Sequence, residues 1–392
     1  MFSRALIFLA LLFIAMTCVI TAQQQKNRNG DDFKIALPVG ISRDLWRQRI
    51  PANNPMTPDK VALGRSLYFD KRLSVDGTVS CATCHDPANA FSDHSVVGTG
   101  VSNRVGTRNT PTILNAMFSE RLFWDGRAGS LEEQARQPMS NLLEMGMKGD
   151  DAVVARVVAI PEYRQTFKHV FRDQGITIDT IVKAIAAYER TQISANSPFD
   201  RFFSGDSGAI SEAQKRGWEL FKGKAKCIEC HAFSQGSPFF TDFKFHNTGI
   251  VAGDMRPEYL DGLAMKLTDP LAQAALFAHT KDFTELGRYL VTKQPPDIGA
   301  FKTPTLRDVE LTSPYMHNGS QKTLIDVVRF YNRGGNANAH LDERMHPLNL
   351  SEQEMNDLVE FMRALTSDDV LRQLQSTSPQ TRIPVSVVVK QP

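Results

Sequence analysis

Two short stretches constrain this chain more than anything else in it: Cys81-Ala82-Thr83-Cys84-His85 and Cys227-Ile228-Glu229-Cys230-His231. Each is Cys-x-x-Cys-His. That spacing lets two thiols add across the two vinyl groups of one porphyrin while the adjacent imidazole lies under the iron. A lone copy could be a redox dithiol or half of a zinc site. Two copies, both ending in His and with no further cysteine near either, read instead as attachment sites for two covalently bound c-type haems.

The chain has 392 residues, which suggests two domains of ordinary size, and its 42% hydrophobic content is enough for two cores. A formal charge of +2 gives no electrostatic footprint for nucleic acid. At the N-terminus, Arg4, the apolar run from Ala5 to Ile20 and the small Ala22 before Gln23 form the pattern of a secretory signal over residues 1–22. An uncleaved anchor is the alternative. Cys18 falls inside this segment, and Ala15-Met16-Thr17 is a poor match to a lipoprotein acceptor site. Nothing after the signal is apolar enough to span a membrane. Export to the periplasm fits the haem chemistry, because bacterial c-type haems are attached outside the cytoplasm.

Helical signals dominate the rest. Thr57-Pro58 starts a helix, and Ser130 with Glu133, Ser211 with Gln214, and Ser351 with Glu354 are capping boxes. Ile178, Ile181, Val182 and Ile185 keep a helical period, as do Met355, Leu358, Val359, Met362 and Leu365. Residues 194–210, rich in Ser, Gly, Pro and Asp, read as a linker. The expected fold is mainly α with little β structure: two cytochrome c-like haem domains related by duplication, at 23–196 and 197–375, then a β-like tail at 376–392. The duplication is legible directly. Gly64-Arg65-Ser66-Leu67-Tyr68 precedes the first haem motif and Gly217-Trp218-Glu219-Leu220-Phe221 the second. Thr110-Pro111-Thr112, Asp125-Gly126 and Leu131 recur as Thr303-Pro304-Thr305, Asn318-Gly319 and Leu324, always 193 residues later. Residues 234–300 are a longer insertion in the second half.

That offset sets Tyr331 against Pro138. A phenolate ligates iron and proline cannot, so the second haem is expected to be closed on both faces and the first open. Spacing alone also allows Tyr331 to be a packing residue. One closed haem to pass electrons and one open haem to meet a small oxidant is the logic of a peroxidase.

From Pro51 to Thr366 the chain resembles the bacterial dihaem cytochrome c peroxidases, including their MauG branch. The resemblance rests on Arg108-Asn109-Thr110-Pro111-Thr112, Phe123-Trp124-Asp125-Gly126-Arg127, Gln134, Pro138, Asn141 to Met145, Thr303-Pro304-Thr305-Leu306-Arg307 and Pro314-Tyr315-Met316-His317-Asn318-Gly319. It implies that His85 is proximal to the peroxidatic haem and His231 to the electron-transferring one. Glu144 falls on the family's distal acid, with Gln134 and Pro138 in the same pocket, and Trp124 on the tryptophan between the haems. Asn109, Thr312 and Pro314 fall on the ligands of a calcium ion at the domain interface, the last two through backbone oxygens. Ordinary members carry Met where Tyr331 stands, whereas MauG carries Tyr. The histidine that caps the resting peroxidatic haem in ordinary members is replaced here by Val101 on a gap-free count, and His94 does not align. MauG's surface tryptophan two residues before the second haem motif is Ala225 here.

The implied function is an exported dihaem c-type peroxidase. It would reduce hydrogen peroxide with electrons passed from the second haem and, before it, a small cytochrome or copper protein. The alternatives are a MauG-like enzyme that uses peroxide to oxidise side chains of a partner protein, and a non-catalytic electron-transfer cytochrome. His246 and His317 are expected near the second haem, and Arg307 is expected to pair with haem propionates. His169, His279, His340 and His346 are expected to be surface or satisfied residues. Met316 and Met345 are pocket candidates, though no methionine ligand is needed.

Overall fold

The computed structural model describes residues 33–251, 256, 259–267 and 281–376. The signal segment, the tail beyond Ser376 and His279 lie outside these residues. Among them, sheet structure is confined to Phe245–His246 paired antiparallel with Phe301–Lys302, with Phe245 opposite Lys302. The remaining regular structure is helical, as expected.

Each half is built on one crossed helix pair. In the first, Pro58–Phe69 packs on Ile178–Glu189; in the second, Glu212–Lys222 packs on Glu352–Arg363. The glycine in each pre-motif segment is what allows the crossing. A Cβ on Gly64 would fall 1.8 Å from the Ala184 carbonyl oxygen, and one on Gly217 would fall 1.9 Å from that of Asp357. Neither backbone could approach so closely with a side chain between them. Leu63, Leu67, Tyr68, Ile181 and Ile185 fill the first core. The second is aromatic, with Phe199 at its centre against Trp218, Phe233, Phe240 and Phe361 at 5.0–5.5 Å between ring centroids.

The repeat extends to backbone detail. Left-handed residues Asn115, Phe123 and Gly126 have counterparts in Asp308, Met316 and Gly319 at the same offset, and the Leu122–Ala128 bridge recurs as Tyr315–Gln321. The insertion carries its own small core of Leu260, Leu267, Phe283, Leu286 and Ile298.

Helix starts follow the sequence with one change. Thr57 caps Pro58–Phe69, and the Ser211 and Ser351 boxes are complete. At Leu131–Ser140 the Ser130 hydroxyl accepts from Glu133 N–H, but the Glu133 carboxylate accepts from Gly129 rather than closing the box on Ser130. A larger correction concerns residues 194–210, which are not a linker. They contain the helix Pro198–Phe203, and Ser194, Ala195, Ser197 and Phe199 are buried. Their Ser, Pro and Asp content is capping chemistry: Ser197 and Asp200 form a complete capping box around a proline at the helix start. Composition was the wrong signal there, because the residues that favour loops also favour helix N-termini.

Candidate active site

The two Cys-x-x-Cys-His motifs sit on single helical turns, Cys81–Cys84 and Cys227–Glu229, and no disulfide joins their thiols. The imidazoles are held alike. His85 Nδ1 lies 3.4 Å from the Phe91 carbonyl and His231 Nδ1 lies 3.0 Å from that of Phe240, so in each ring Nε2 is left for a metal. Burial lowers both histidine pKa values and favours the neutral, ligating form. The Thr-Pro-Thr turns hold these loops in place. Thr112 Oγ1 donates to Ala90 O and Thr305 Oγ1 to Phe239 O, both at 2.7 Å, and each acceptor directly precedes the residue that orients the imidazole.

In the second half, Cys227, Cys230 and His231 line a cavity of about 310 Å³ together with Leu324, Val327 and Tyr331. Burial pushes the Tyr331 phenol up, and the Cys230 and Cys227 thiols of the same cavity add to that effect. Unpaired thiols, a neutral imidazole and apolar walls suit a covalently attached porphyrin. Met316, Met345 and Ala225 also line this cavity, and His346 is exposed at its edge. His246 lies there too, between Asp242 (2.8 Å) and Asp342 (2.7 Å). Burial opposes its charge, but Asp242 and Cys230 outweigh that and raise its pKa to about 10. His169 and His340 are paired with Asp59 and Asp261.

Arg307 departs from expectation. Its guanidinium is spent on Asp200, at 2.7 and 2.8 Å, and on the Pro238 carbonyl at 2.6 Å, all within the core. Bidentate pairing with a buried carboxylate leaves it no fork for a propionate.

In the first half, Gln134 and Pro138 lie on Leu131–Ser140, and the chain turns at Asn141. Asn141 Oδ1 accepts from Leu143 N–H at 2.9 Å, and its Nδ2 donates to Glu144 Oε1 at 2.6 Å. Burial raises the Glu144 pKa, while Arg127 and the Asn141 hydrogen bond pull it down. Burial is the main cause that raises the pKa values of Cys81 and Cys84, with the Glu144 charge a smaller contribution. Cys84 Sγ lies 3.8 Å from the carbonyl of Thr99, two residues before the Val101 that is bonded to Glu144, so the acid's segment runs beside the first haem motif. Val101 is buried and donates its N–H to the Glu144 carbonyl at 2.8 Å. Arg127 was not singled out from the sequence as a neighbour of this acid, nor was Asn141 as its hydrogen-bond donor. Arg127 stacks 3.5 Å over Phe123 and bonds Asp125 and Gln137. The Asn141-x-x-Glu144 spacing of an Asx turn was the available signal for the second.

Trp124 lies where the halves meet. Its indole N–H donates to the Asn109 carbonyl at 2.9 Å, and its own carbonyl accepts from Lys302 N–H at 2.8 Å. His317 is 6.5 Å away, centroid to centroid, and stacks on Phe301 at 3.6 Å. Sequence reasoning missed the charge that fixes His317: buried Glu285, which accepts from His317 Nε2 at 2.9 Å and from Arg108 at 2.8 Å. Against the cost of burial, these two partners hold Glu285 below the usual carboxylate range. Asn109, Thr312 and Pro314 all border the cavity. Asn109 Nδ2 donates to Ser95 O at 2.9 Å, so the amide oxygen points elsewhere. That oxygen and the Thr312 and Pro314 carbonyls accept no hydrogen bond among the described residues, a donor set suited to a hard cation.

Two matched haem cradles in a duplicated, mainly helical frame define a dihaem c-type cytochrome. Comparison with known proteins narrows the class. The profile of the di-haem cytochrome c peroxidase family matches residues 58–208. The chain is 41% identical to cytochrome-c peroxidase IdrP1 of Denitromonas iodatirespirans over 82% of this chain and 85% of that one. It is 38% identical to the methylamine utilization protein MauG of Methylorubrum extorquens over 81% of each. A crystal structure of a MauG-like protein associated with microbial copper homeostasis superposes with a TM-score of 0.69 at 31% identity, covering 90% of this chain and 99% of that one. The chain belongs to the di-haem cytochrome c peroxidase family; it is an oxidoreductase with two c-type haems.

Proposed function

We propose that this enzyme reduces hydrogen peroxide at the haem held by Cys81, Cys84 and His85. On this reading the second haem, held by Cys227, Cys230, His231 and Tyr331, relays electrons through Trp124. The observation that supports the proposal is the position of Glu144: a half-buried carboxyl held by Asn141, on a segment bonded to the stretch of chain that passes Cys84, with its pKa raised by desolvation. The haem supplies the redox centre at which peroxide is reduced, and the chain's residues manage protons and access. Glu144 takes the proton from one peroxide oxygen and returns it to the departing one, the general acid–base role. Asn141 fixes one carboxyl oxygen and leaves the other for that proton. Gln134 and Pro138 wall the pocket, and Pro138 offers no ligand that would close it. Trp124 packs across the interface with its N–H held by a carbonyl, which orients the ring without removing its proton. A calcium ion on Asn109, Thr312 and Pro314 would tie the halves together beside it.

The expected electron donor is a small cytochrome or copper protein, and the expected address is the periplasm, reached through the signal at residues 1–22. Among the described residues no helix is long and apolar enough to cross a membrane.

One observation favours a second reading, oxidation of a partner protein's side chains. Tyr331 lies in the cavity of the second haem, and an anionic phenolate stabilises oxidised iron. Ala225, buried at the cavity edge, provides no aromatic exit toward a partner.

Peroxide added to the diferric protein tests both readings. Turnover with a reduced small donor and no pre-reduction is the expected result. A long-lived two-electron-oxidised protein that only a protein substrate discharges would transfer the assignment to the second reading. Two low-spin haems indifferent to peroxide would remove both.

A further inference from the structure

The cavity of the second haem must accommodate two propionates, and the arginine expected to meet one of them is committed to Asp200. Of the other basic groups there, Lys226, 3.9 Å from Glu229, and His346 are exposed to solvent, and the rest are committed. Arg344 is bonded to Asp342, His246 lies between Asp242 and Asp342, and His317 is on Glu285. Lys302 is different. It lines the same cavity, and among the described residues its ammonium has neither a hydrogen-bond nor an ion-pair partner. Its backbone is not free to swing away. Lys302 is paired with Phe245 across the two-stranded sheet, and its N–H is bonded to the Trp124 carbonyl at 2.8 Å.

We propose that Lys302 is the cationic partner of a propionate of the second haem, a role that neither the family motifs nor the spacing pattern assigned to it. An enclosed ammonium without a carboxylate is costly, and desolvation alone lowers its pKa to about 8. A propionate entering with the porphyrin offsets that cost. The residue thus prepares the cavity for an anionic edge on the side facing Trp124, whose carbonyl anchors the same strand. The inference rests on the second haem being held by Cys227, Cys230 and His231, and does not depend on which reaction the enzyme performs.

A positive charge beside a propionate stabilises the reduced haem, which carries the extra electron. Removing it lowers the midpoint potential. The test is a spectroelectrochemical titration of the holoenzyme as wild type, Lys302→Met and Lys302→Arg, each first assayed for two covalent haems per chain. Lys302→Met is expected to lower the potential of the second, low-spin haem and to shift its propionate bending mode in resonance Raman spectra. Lys302→Arg is expected to stay near wild type, and the first haem to stay unmoved in both. An unshifted second haem in Lys302→Met, or a shift confined to the first haem, overturns the proposal. If Lys302→Met fails to retain haem, Lys302→Gln is titrated against the same criteria. Loss of the second haem from the wild-type count would instead break the underlying assignment.

Discussion

The two halves share a frame down to single backbone angles, yet differ at the positions proposed to face the irons. At the offset of 193, Gln134 stands against Val327, Pro138 against Tyr331 and Glu144 against Ala337. On the proposed reading the first half thus supplies an amide and a carboxyl around a position with no side-chain ligand. The second replaces that polar pair with apolar residues and adds a phenol. The supporting shell differs in the same way: Leu114, a core residue of the first half, corresponds to Arg307, the centre of a buried ion pair in the second. Duplication fixed how an imidazole is presented, through the Thr-Pro-Thr turn and the carbonyl behind each histidine. Divergence is marked in what lies opposite it, in the packing behind it and in the insertion of the second half. The same helix frame thus carries two differently filled cores, which on the proposed reading serve one reactive and one relaying haem.

The sharpest way to break this contrast is to remove the acid. On the proposed role, Glu144→Gln lowers peroxide turnover by about 10²–10⁴-fold, with both haems attached and the second haem's spectrum unchanged. The pH dependence adds a sign. Burial raises the Glu144 pKa, so the carboxyl protonates at a higher pH than an ordinary glutamate and can then no longer accept the first proton. Wild-type activity should fall on acidification while a normal glutamate would still be ionised, and this limb should vanish in Glu144→Gln. A rate profile against pH for the two proteins checks it. An unchanged limb in the variant would assign the titration to another group.

The next effect sharpens the contrast in the supporting shell. Asp200→Ala leaves the Arg307 guanidinium buried without its carboxylate, which costs about 3–5 kcal/mol. Denaturant unfolding should show this loss, whereas Leu114→Val in the first half should cost about 1 kcal/mol. The pair also marks where the sequence was readable and where it was not. Cys-x-x-Cys-His, the repeated Thr-Pro-Thr and the serine caps are local or periodic, so spacing alone carried them. The partnership of Arg307 with Asp200 joins positions 107 apart across a packed core, and no local pattern encodes it. The same holds for Glu285 with His317 and Arg108, and for the isolation of Lys302. Each is set by what the tertiary fold leaves nearby. Residues 194–210 failed for a different reason. Their Ser, Pro and Asp serve both loops and helix starts, and burial decided between them.

The smallest effect tests whether the halves depend equally on their crossings. Gly64 and Gly217 hold equivalent places, and a Cβ on either meets a carbonyl oxygen of the partner helix at under 2 Å, a backbone contact that no rotamer change can relieve. Each helix pair must separate to admit a methyl group, an overpacking cost of about 1–3 kcal/mol. The surroundings differ. Next to the carbonyl, the Gly64 methyl meets Tyr188 Cβ at 3.1 Å, whereas the Gly217 methyl also meets Phe361 Cβ at 2.7 Å. Phe361 is fully buried and packed on Phe199, Trp218, Phe221 and Phe240, so it cannot move without disturbing the whole aromatic core. Tyr188 rests on Tyr68 and Phe69 at one end of its helix and has fewer ring partners to carry along. Gly217→Ala should therefore destabilise more than Gly64→Ala and broaden the absorption of the second haem, while Gly64→Ala should disturb the first. Thermal melts followed separately at high-spin and low-spin haem bands would check this. Equal losses with both bands shifting together would mean that the halves unfold as one unit and that the crossings are not independent supports of their own haems.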